Sequence, residues 1–266
     1  MAHINSPNMT IMLRAAEKAA RSLIRDFGEV ENLQVSRKGP ADFVSAADKR
    51  AEEIIHDNLL RDRPDYAFLM EEGGRSGRED YQHRWIIDPL DGTTNFLHGL
   101  PHWCISIGLE ERKDGKSEII AGLIADPIKD EWFTAEKGNG AFSKRKRLRV
   151  SGRTEIATCL IAGGSPFAGK KDIPTYQKEA EPVYRFTSGM RRFGAAALDM
   201  AYVAAGRYDG YWERDLNPWD LAAGYIMVKE AGGFVEPLNR GKHPVFDGNL
   251  IAGNQGIREF LMKLPQ

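Results

Sequence analysis

Cysteine is scarce in this chain, and its scarcity excludes a good deal. Only Cys104 and Cys159 occur, far apart and each within an apolar stretch. They offer no zinc spacing, no CxxC and no disulfide framework, and read as reduced core residues of a cytosolic protein. An excess of one charge is missing too. The 37 basic and 38 acidic residues leave a formal charge of -1, which argues against a surface built throughout for nucleic acid but leaves room for a local patch. Long apolar runs are also missing: Arg14, Glu17 and Lys18 interrupt the first hydrophobic stretch, so neither a signal peptide nor a membrane span is read, and the cytoplasm is expected. There is no internal repeat, low-complexity segment or linker-like composition. What remains is 266 residues, 42% hydrophobic and 28% charged. That is the balance of a globular protein able to bury a sizeable core, expected as one domain over 1–266.

Apolar side chains at 12, 16, 19, 23 and 27 predict a helix over 9–27, with Gly28 as its stop. Ser45 opens a second, with Ala47, Ala51, Ile54, Ile55 and Leu59 on its buried face and Pro64 beyond its end. Short apolar runs at 67–70 and 85–88 end in acids. A strand with Ile105, Ile107 and Leu109, the hairpin turn Asp114-Gly115, a return strand at 118–126 and further strand at 131–135 predict a mainly antiparallel sheet. The second half mixes strands at 159–163, 208–212 and 250–252 with helices at 195–205, 218–231 and 256–263. Blocks of helices and strands, without strict βαβ alternation, predict a layered α/β or α+β fold.

Asp88-Pro89-Leu90-Asp91-Gly92-Thr93-Thr94 is the most informative stretch. It follows a predicted strand at 85–87, so its acids sit at a strand's carboxyl end, where open α/β sheets place ligands. Pro89 fixes one φ angle and Gly92 permits a sharp turn, which can aim Asp88, Asp91 and a backbone carbonyl at one point. Hard oxygen ligands with a hydroxyl nearby suit Mg²⁺, though the same residue types also make an ordinary Asx turn. Glu71-Glu72 before Gly73-Gly74 can supply a ligand and a general base, or be a solvated charged loop. Asn217-Pro218-Trp219-Asp220 caps a helix well without any metal, and equally can place a further metal carboxylate on a rigid element. Ser45 and Asp48 make a capping-box-like pair, with support of a metal ligand as the other role for Asp48. His98 and His102 have metal-like spacing, but Pro101 between them makes them loop residues. Lys144-Arg145-Lys146-Arg147 with Arg149 reads as a solvated hairpin tip, or else as a surface for RNA or an acidic partner. Asp209, Glu213 and Asp215 group near a strand end, where one of them can read substrate hydroxyls, though exposure on the surface explains them as well.

Together these stretches resemble the inositol monophosphatase family. Glu71-Glu72 is similar to its first acidic pair, 85–96 to its first signature, and 219–224 with 230–233 to its second. The segments 38–44 and 194–199 fit as well, so the resemblance covers nearly the whole chain, and it looks closest to the bacterial inositol-1-monophosphatase branch. It implies a layered αβαβα sandwich and a homodimer. It also implies two or three Mg²⁺ ions, with Glu71, Asp88, the Leu90 carbonyl and Thr93 around the first and Asp88, Asp91 and Asp220 around the second. Glu71 would border a third. Glu71, Thr93 and Asp91 would be catalytic; Asp91, Gly92, Thr93, the Ala196 backbone, Glu213 and Asp220 would bind substrate. Asp48 would support the Thr93 hydroxyl from behind, and Lys38 would fill the family's basic position, with Arg37 as its alternative because this segment is one residue shorter than in animal members. Ala195 stands where members often carry Thr or Ser, so a side-chain contact is lost there.

The activity implied is Mg²⁺-dependent hydrolysis of myo-inositol monophosphate by metal-activated water, without a covalent phosphoenzyme and with inhibition by Li⁺. Fructose-1,6-bisphosphate, histidinol phosphate and 3′-phosphoadenosine 5′-phosphate are the substrates of sister activities on the same scaffold. Some bacterial relatives also act in ribosomal RNA transcription complexes, so an added role binding RNA or transcription machinery is the alternative of another class.

Overall fold

The computed structural model describes residues 5–29, 35–39, 42–167, 172–238 and 243–264, with the backbone alone over 35–39 and 42–45. The chain runs α1 (Pro7–Phe27), β1 (Val35–Gly39), β2 (Asp42–Ser45), α2 (Ala46–Asp62), β3 (Ala67–Met70), β4 (Gly74–Ser76), β5 (His83–Asp91) and α3 (Thr93–Leu97). It continues with β6 (Cys104–Lys113), β7 (Lys116–Asp126), β8 (Glu131–Glu136), β9 (Gly140–Ser143), β10 (Lys146–Arg147), β11 (Leu160–Gly163), α4 (Ile173–Phe186) and β12 (Gly189–Arg191). Last come α5 (Ala196–Ala204), β13 (Gly210–Glu213), α6 (Pro218–Glu230), β14 (Phe234–Pro237), α7 (Pro244–Asp247), β15 (Leu250–Gly253) and α8 (Arg258–Met262).

Two large sheets result. The first has the order β10-β9-β8-β7-β6-β5-β3-β4 and is antiparallel except where β3 runs beside β5. The second has the order β12-β11-β13-β15-β14, with its first three strands parallel. Strand alternation assigns the faces. Trp85 and Ile87 of β5 pack with Met12, Leu23 and Ile55 of α1 and α2. Ile86, between them, packs with Leu198 and Leu221 of α5 and α6. Those two helices also cover one face of the second sheet, through Tyr211 and Ala252, while Ala180, Val183 and Leu261 of α4 and α8 cover the other. The layers are therefore αβαβα, as expected. Gly108 and Gly122 face each other on β6 and β7. A Cβ at either would fall 2.6 Å from Ala222 Cβ or 2.7 Å from the Ala223 oxygen, so α6 lies directly on the sheet.

Asp114 and Gly115 both have positive φ, 51° and 73°, the mark of the expected tight hairpin turn. Lys144 also has positive φ, 53°, at the turn between β9 and β10, so the basic run is a hairpin tip. Several details differ from the sequence reading, among them strands β12 and β14, which it did not foresee. The strand expected at 85–87 continues to Asp91 with an irregularity between Asp88 and Asp91, because ladder pairing with β6 resumes past Pro89. The last helix is split into a 3₁₀ turn at Gln255–Ile257 and α8, since Asn254 accepts the Gly256 and Ile257 N–H groups. Helix α4, which carries Pro182 inside it, has no counterpart in the sequence reading. Cys104 and Cys159 are free and buried. Among the described residues no helix is long and apolar enough to cross a membrane.

Candidate active site

The Asp88–Thr94 run crosses from the end of β5 into α3. Gly92 links them with φ 97°, a region that favours glycine, and a Cβ there would lie 3.1 Å from the His102 oxygen. Asp88 is buried, and one of its oxygens accepts the Leu90 N–H at 2.9 Å. Asp91 is buried too, and its Oδ2 accepts the Ala197 N–H at 2.7 Å. Asp91 thereby caps α5 from another segment. This compensates for Ala195, the residue before the helix, which has no hydroxyl to do so. The buried Cys104 thiol lies 3.7 Å from the same oxygen.

Other elements bring further acids to this point. Glu71 directly follows β3 and is held by its N–H to the Ile87 oxygen, 3.2 Å. Asp220, in the first turn of α6, accepts the Asn217 N–H at 2.7 Å. The Ser106 hydroxyl donates to the Trp219 oxygen at 3.1 Å, and Ser106 is the cross-strand neighbour of Asp88. Burial first, then Glu71, Asp91 and Asp220, push the Asp88 carboxyl well above its ordinary range. Burial, with Glu213 and Glu71, pushes Asp91 up to about 7 against the pull of the Ala197 and Ala196 N–H groups. Burial, Asp91 and Glu71 push Asp220 well up also. Carboxylates from three chain segments thus meet and repel one another, the arrangement a cation relieves. Each spends one oxygen on a protein donor or a neighbouring acid. Among the described residues no three Asp, Glu, His or Cys side chains are spaced as a complete set of metal ligands. The donors that do converge are carboxylate, carbonyl and hydroxyl oxygens, the chemistry of a hard divalent cation.

The Thr93 hydroxyl lies 3.0 Å from Asp48 Oδ1 and 3.1 Å from the Leu90 oxygen. Its one proton serves one of them at a time. Asp48, fully buried on α2, thus lies within hydrogen-bond reach of the Thr93 hydroxyl. Glu52 was not foreseen. One turn along α2 and nearly buried, it accepts the Glu72 N–H at 2.9 Å and so ties the Glu71-Glu72 turn to the helix. Its signal was the i, i+4 pair Asp48/Glu52 on a face otherwise made of Ala47, Ala51 and Ile55. Asn95 was also missed as a brace: its amide donates to the His102 oxygen at 2.8 Å and the Phe193 oxygen at 2.7 Å.

Glu213 ends β13, and its Oε2 accepts the Tyr211 hydroxyl at 2.6 Å. Asp215 lines the same cavity as Glu213, but Asp209 does not. Asp209 is buried before β13 and accepts the Leu160 N–H at 2.7 Å and Arg153 at 3.2 Å, a structural role in place of the exposure expected for it. Asp215 is exposed. His98 follows α3 and His102 lies in the loop beyond it, as expected. The side chains of Arg37, Lys38 and Ser45 lie outside the described residues, and so do Pro40 and Ala41. Lys144 of the basic run pairs with Asp130 at 2.6 Å.

The profile of the family described as "Inositol monophosphatase family" matches residues 5–264. The inositol-1-monophosphatase of Mesorhizobium japonicum is 51% identical over 96% of this chain and 94% of its own length. The Nus factor SuhB of Escherichia coli K12 is 40% identical over 94% of this chain and 92% of its own. The crystal structure of the extragenic suppressor protein suhB from Bartonella henselae superposes with a TM-score of 0.92 at 54% identity, covering 97% of this chain and 98% of that one.

Proposed function

The chain belongs to the inositol monophosphatase family, and from that premise we propose that it is a Mg²⁺-dependent phosphatase acting on myo-inositol monophosphate. The phosphatase class follows from the family. The cofactor and the substrate are our reading. The observation that carries it is the meeting of Glu71, Asp88, Asp91 and Asp220, each of the three aspartates driven up by burial and by the other acids. We read residues 1–266 as one catalytic unit, which the match over 5–264 supports.

Glu71, Asp88, Asp91, Asp220 and the Leu90 carbonyl would hold two or three Mg²⁺ ions. Mg²⁺ bound there supplies charge neutralisation for the phosphoryl oxygens and a lowered pKa for water. Glu71 and Thr93 orient the attacking water and Glu71 takes its proton. Asp48, by accepting the Thr93 proton, turns the Thr93 oxygen's lone pairs toward that water and leaves the Leu90 carbonyl for the cation. Backbone N–H groups of Gly92 and Thr93 face the phosphate, which is attacked in line. Glu213, the Ala196 backbone, Asp91 and Asp220 face the polyol, and water near Asp91 or Asp220 protonates the leaving alkoxide. No side chain acts as nucleophile. Lys38 would supply the positive charge of the β1–β2 hairpin.

The test is steady-state kinetics with inositol 1-phosphate, fructose-1,6-bisphosphate, histidinol phosphate and 3′-phosphoadenosine 5′-phosphate, in Mg²⁺, with chelator and with Li⁺. Highest kcat/KM on inositol 1-phosphate, loss with chelator and inhibition by Li⁺ are expected. Preference for another member of the panel overturns the substrate, and turnover in chelator overturns the metal. Light scattering tests the homodimer. A second reading, transcription-complex binding, draws on the relatives named Nus factor SuhB and the exposed tip at Lys144. Salt-sensitive RNA or RNA-polymerase binding that survives neutralising Lys144, Arg145, Lys146 and Arg147 rejects that surface.

A further inference from the structure

We infer that Tyr211 and Gly164 are positioning residues that fix the Glu213 carboxylate for reading substrate hydroxyls, and so set specificity without touching the phosphate. This rests on the reading of Glu213 as a polyol contact.

β13 is the middle strand of the second sheet. Tyr211 and Glu213, two residues apart, share one of its faces, while Trp212 between them packs in the core on the opposite face. The Tyr211 ring is fully buried against the α5 and α6 layer, so its hydroxyl has a fixed origin. It donates to Glu213 Oε2 at 2.6 Å, a short, charge-assisted bond when Glu213 is ionised. The carboxylate is confined from another side by the chain after β11. A Cβ on Gly164 would lie 1.8 Å from Glu213 Oε1 and 2.0 Å from its Cδ. Gly164 is not among the positive-φ residues, so its backbone conformation does not demand glycine. A methyl there would instead push the end of the Glu213 side chain aside.

Glutamate has three side-chain rotors, and an acceptor left free to turn discriminates poorly between a hydroxyl and its absence. Buried polar groups with fixed partners give the strongest discrimination, because a substrate lacking the hydroxyl leaves them unpaired. A carboxylate has several acceptor positions, and the Tyr211 hydroxyl takes one of them on Oε2. Asp199, on α5, is pushed well up by burial and by Glu213.

The experiment compares Tyr211→Phe, which keeps the buried ring, with wild type on inositol 1-phosphate and on p-nitrophenyl phosphate, a monoester without a polyol. Expected is a fall of about tenfold in kcat/KM on inositol 1-phosphate, carried by KM, with p-nitrophenyl phosphate changed less than twofold. Gly164→Ala, which moves Glu213 from the other side, should show the same split. Adding Tyr211→Phe to Glu213→Gln should cost nothing further. An equal fall on both substrates, or no change on either, overturns the inference. If wild type prefers another hydroxyl-bearing member of the phosphate panel, the inositol reading fails while the same split, measured on that substrate, still decides this one. A wild type that handles every hydroxyl-bearing ester no better than p-nitrophenyl phosphate overturns the inference.

Discussion

Replacing Asp91 by Asn should stabilise the metal-free protein while abolishing turnover. Unfolded, this carboxyl titrates near 3.8; folded, burial and Glu213 move it up to about 7. Between those values the unfolded chain has released the proton and the folded chain has not, so folding stability falls as pH rises through the window and stays low above it. At about 1.4 kcal/mol per pH unit, the fall is on the order of 4 kcal/mol. Asn is neutral throughout, and its amide oxygen can still accept the Ala197 N–H that Asp91 accepts at 2.7 Å. In chelator at pH 8 the variant should therefore melt on the order of 10 °C above wild type, taking about 2–4 °C per kcal/mol for a chain of this size. The gap should close as pH is lowered toward 4. Adding Mg²⁺ should raise the wild-type melting temperature by linkage and leave the variant nearly unmoved. Differential scanning calorimetry across pH, with and without Mg²⁺, reads all of this. Parallel pH curves for the two proteins in chelator would refute the reasoning on charge. Wild-type kcat for the variant in Mg²⁺ would refute the metal assignment.

Asp48→Asn keeps the volume behind Thr93 but removes the anion that receives its proton; activity should fall about 10- to 100-fold with a raised Mg²⁺ requirement, and an unchanged Mg²⁺ titration would count against it. Gly122→Ala forces a methyl into the 2.7 Å gap below Ala223 and should cost about 1–3 kcal/mol, seen as a lower urea midpoint at constant m-value. Arg214→Met leaves Glu179, which Arg214 Nε binds at 2.8 Å, buried without its cation, and should cost about 3–5 kcal/mol in the same assay.

The metal-acid candidates were legible because local constraint and chemistry coincide in one run: Pro89 and Gly92 bend the chain where Asp88 and Asp91 stand. Asp220 was legible only in part, since a good helix cap looks the same whether or not it faces Asp91. Glu52 could not be read as a brace, because its partner is the backbone N–H of Glu72, a group identical in every residue. Asp209 misled for the opposite reason: an acid near a strand end suggests exposure, and only the fold supplies Leu160 N–H and Arg153 around it. Helix α4 escaped because Pro182 lies within it, and proline is a poor helix signal even where neighbouring packing tolerates it. The αβαβα order of the layers was what the family resemblance implied, while a layered fold followed from element type. Which strand neighbours which did not, for pairing is decided between segments far apart in sequence.

The layered architecture divides inheritance as well as space. Glu71, Asp88 and Asp91 ride on the eight-stranded sheet, whereas Glu213 rides on the five-stranded one, with α5 and α6 as the shared wall between them. Mutations that reshape β13 and the loop after β11 can drift or recombine without disturbing the acids on the larger sheet. On the proposed reading of Glu213, a lineage can alter that one hydroxyl contact through the smaller sheet while Asp91 and Asp220 stay in place. Swapping residues 160–167 and 210–215 between two relatives should transplant preference for the alcohol and leave hydrolysis itself behind.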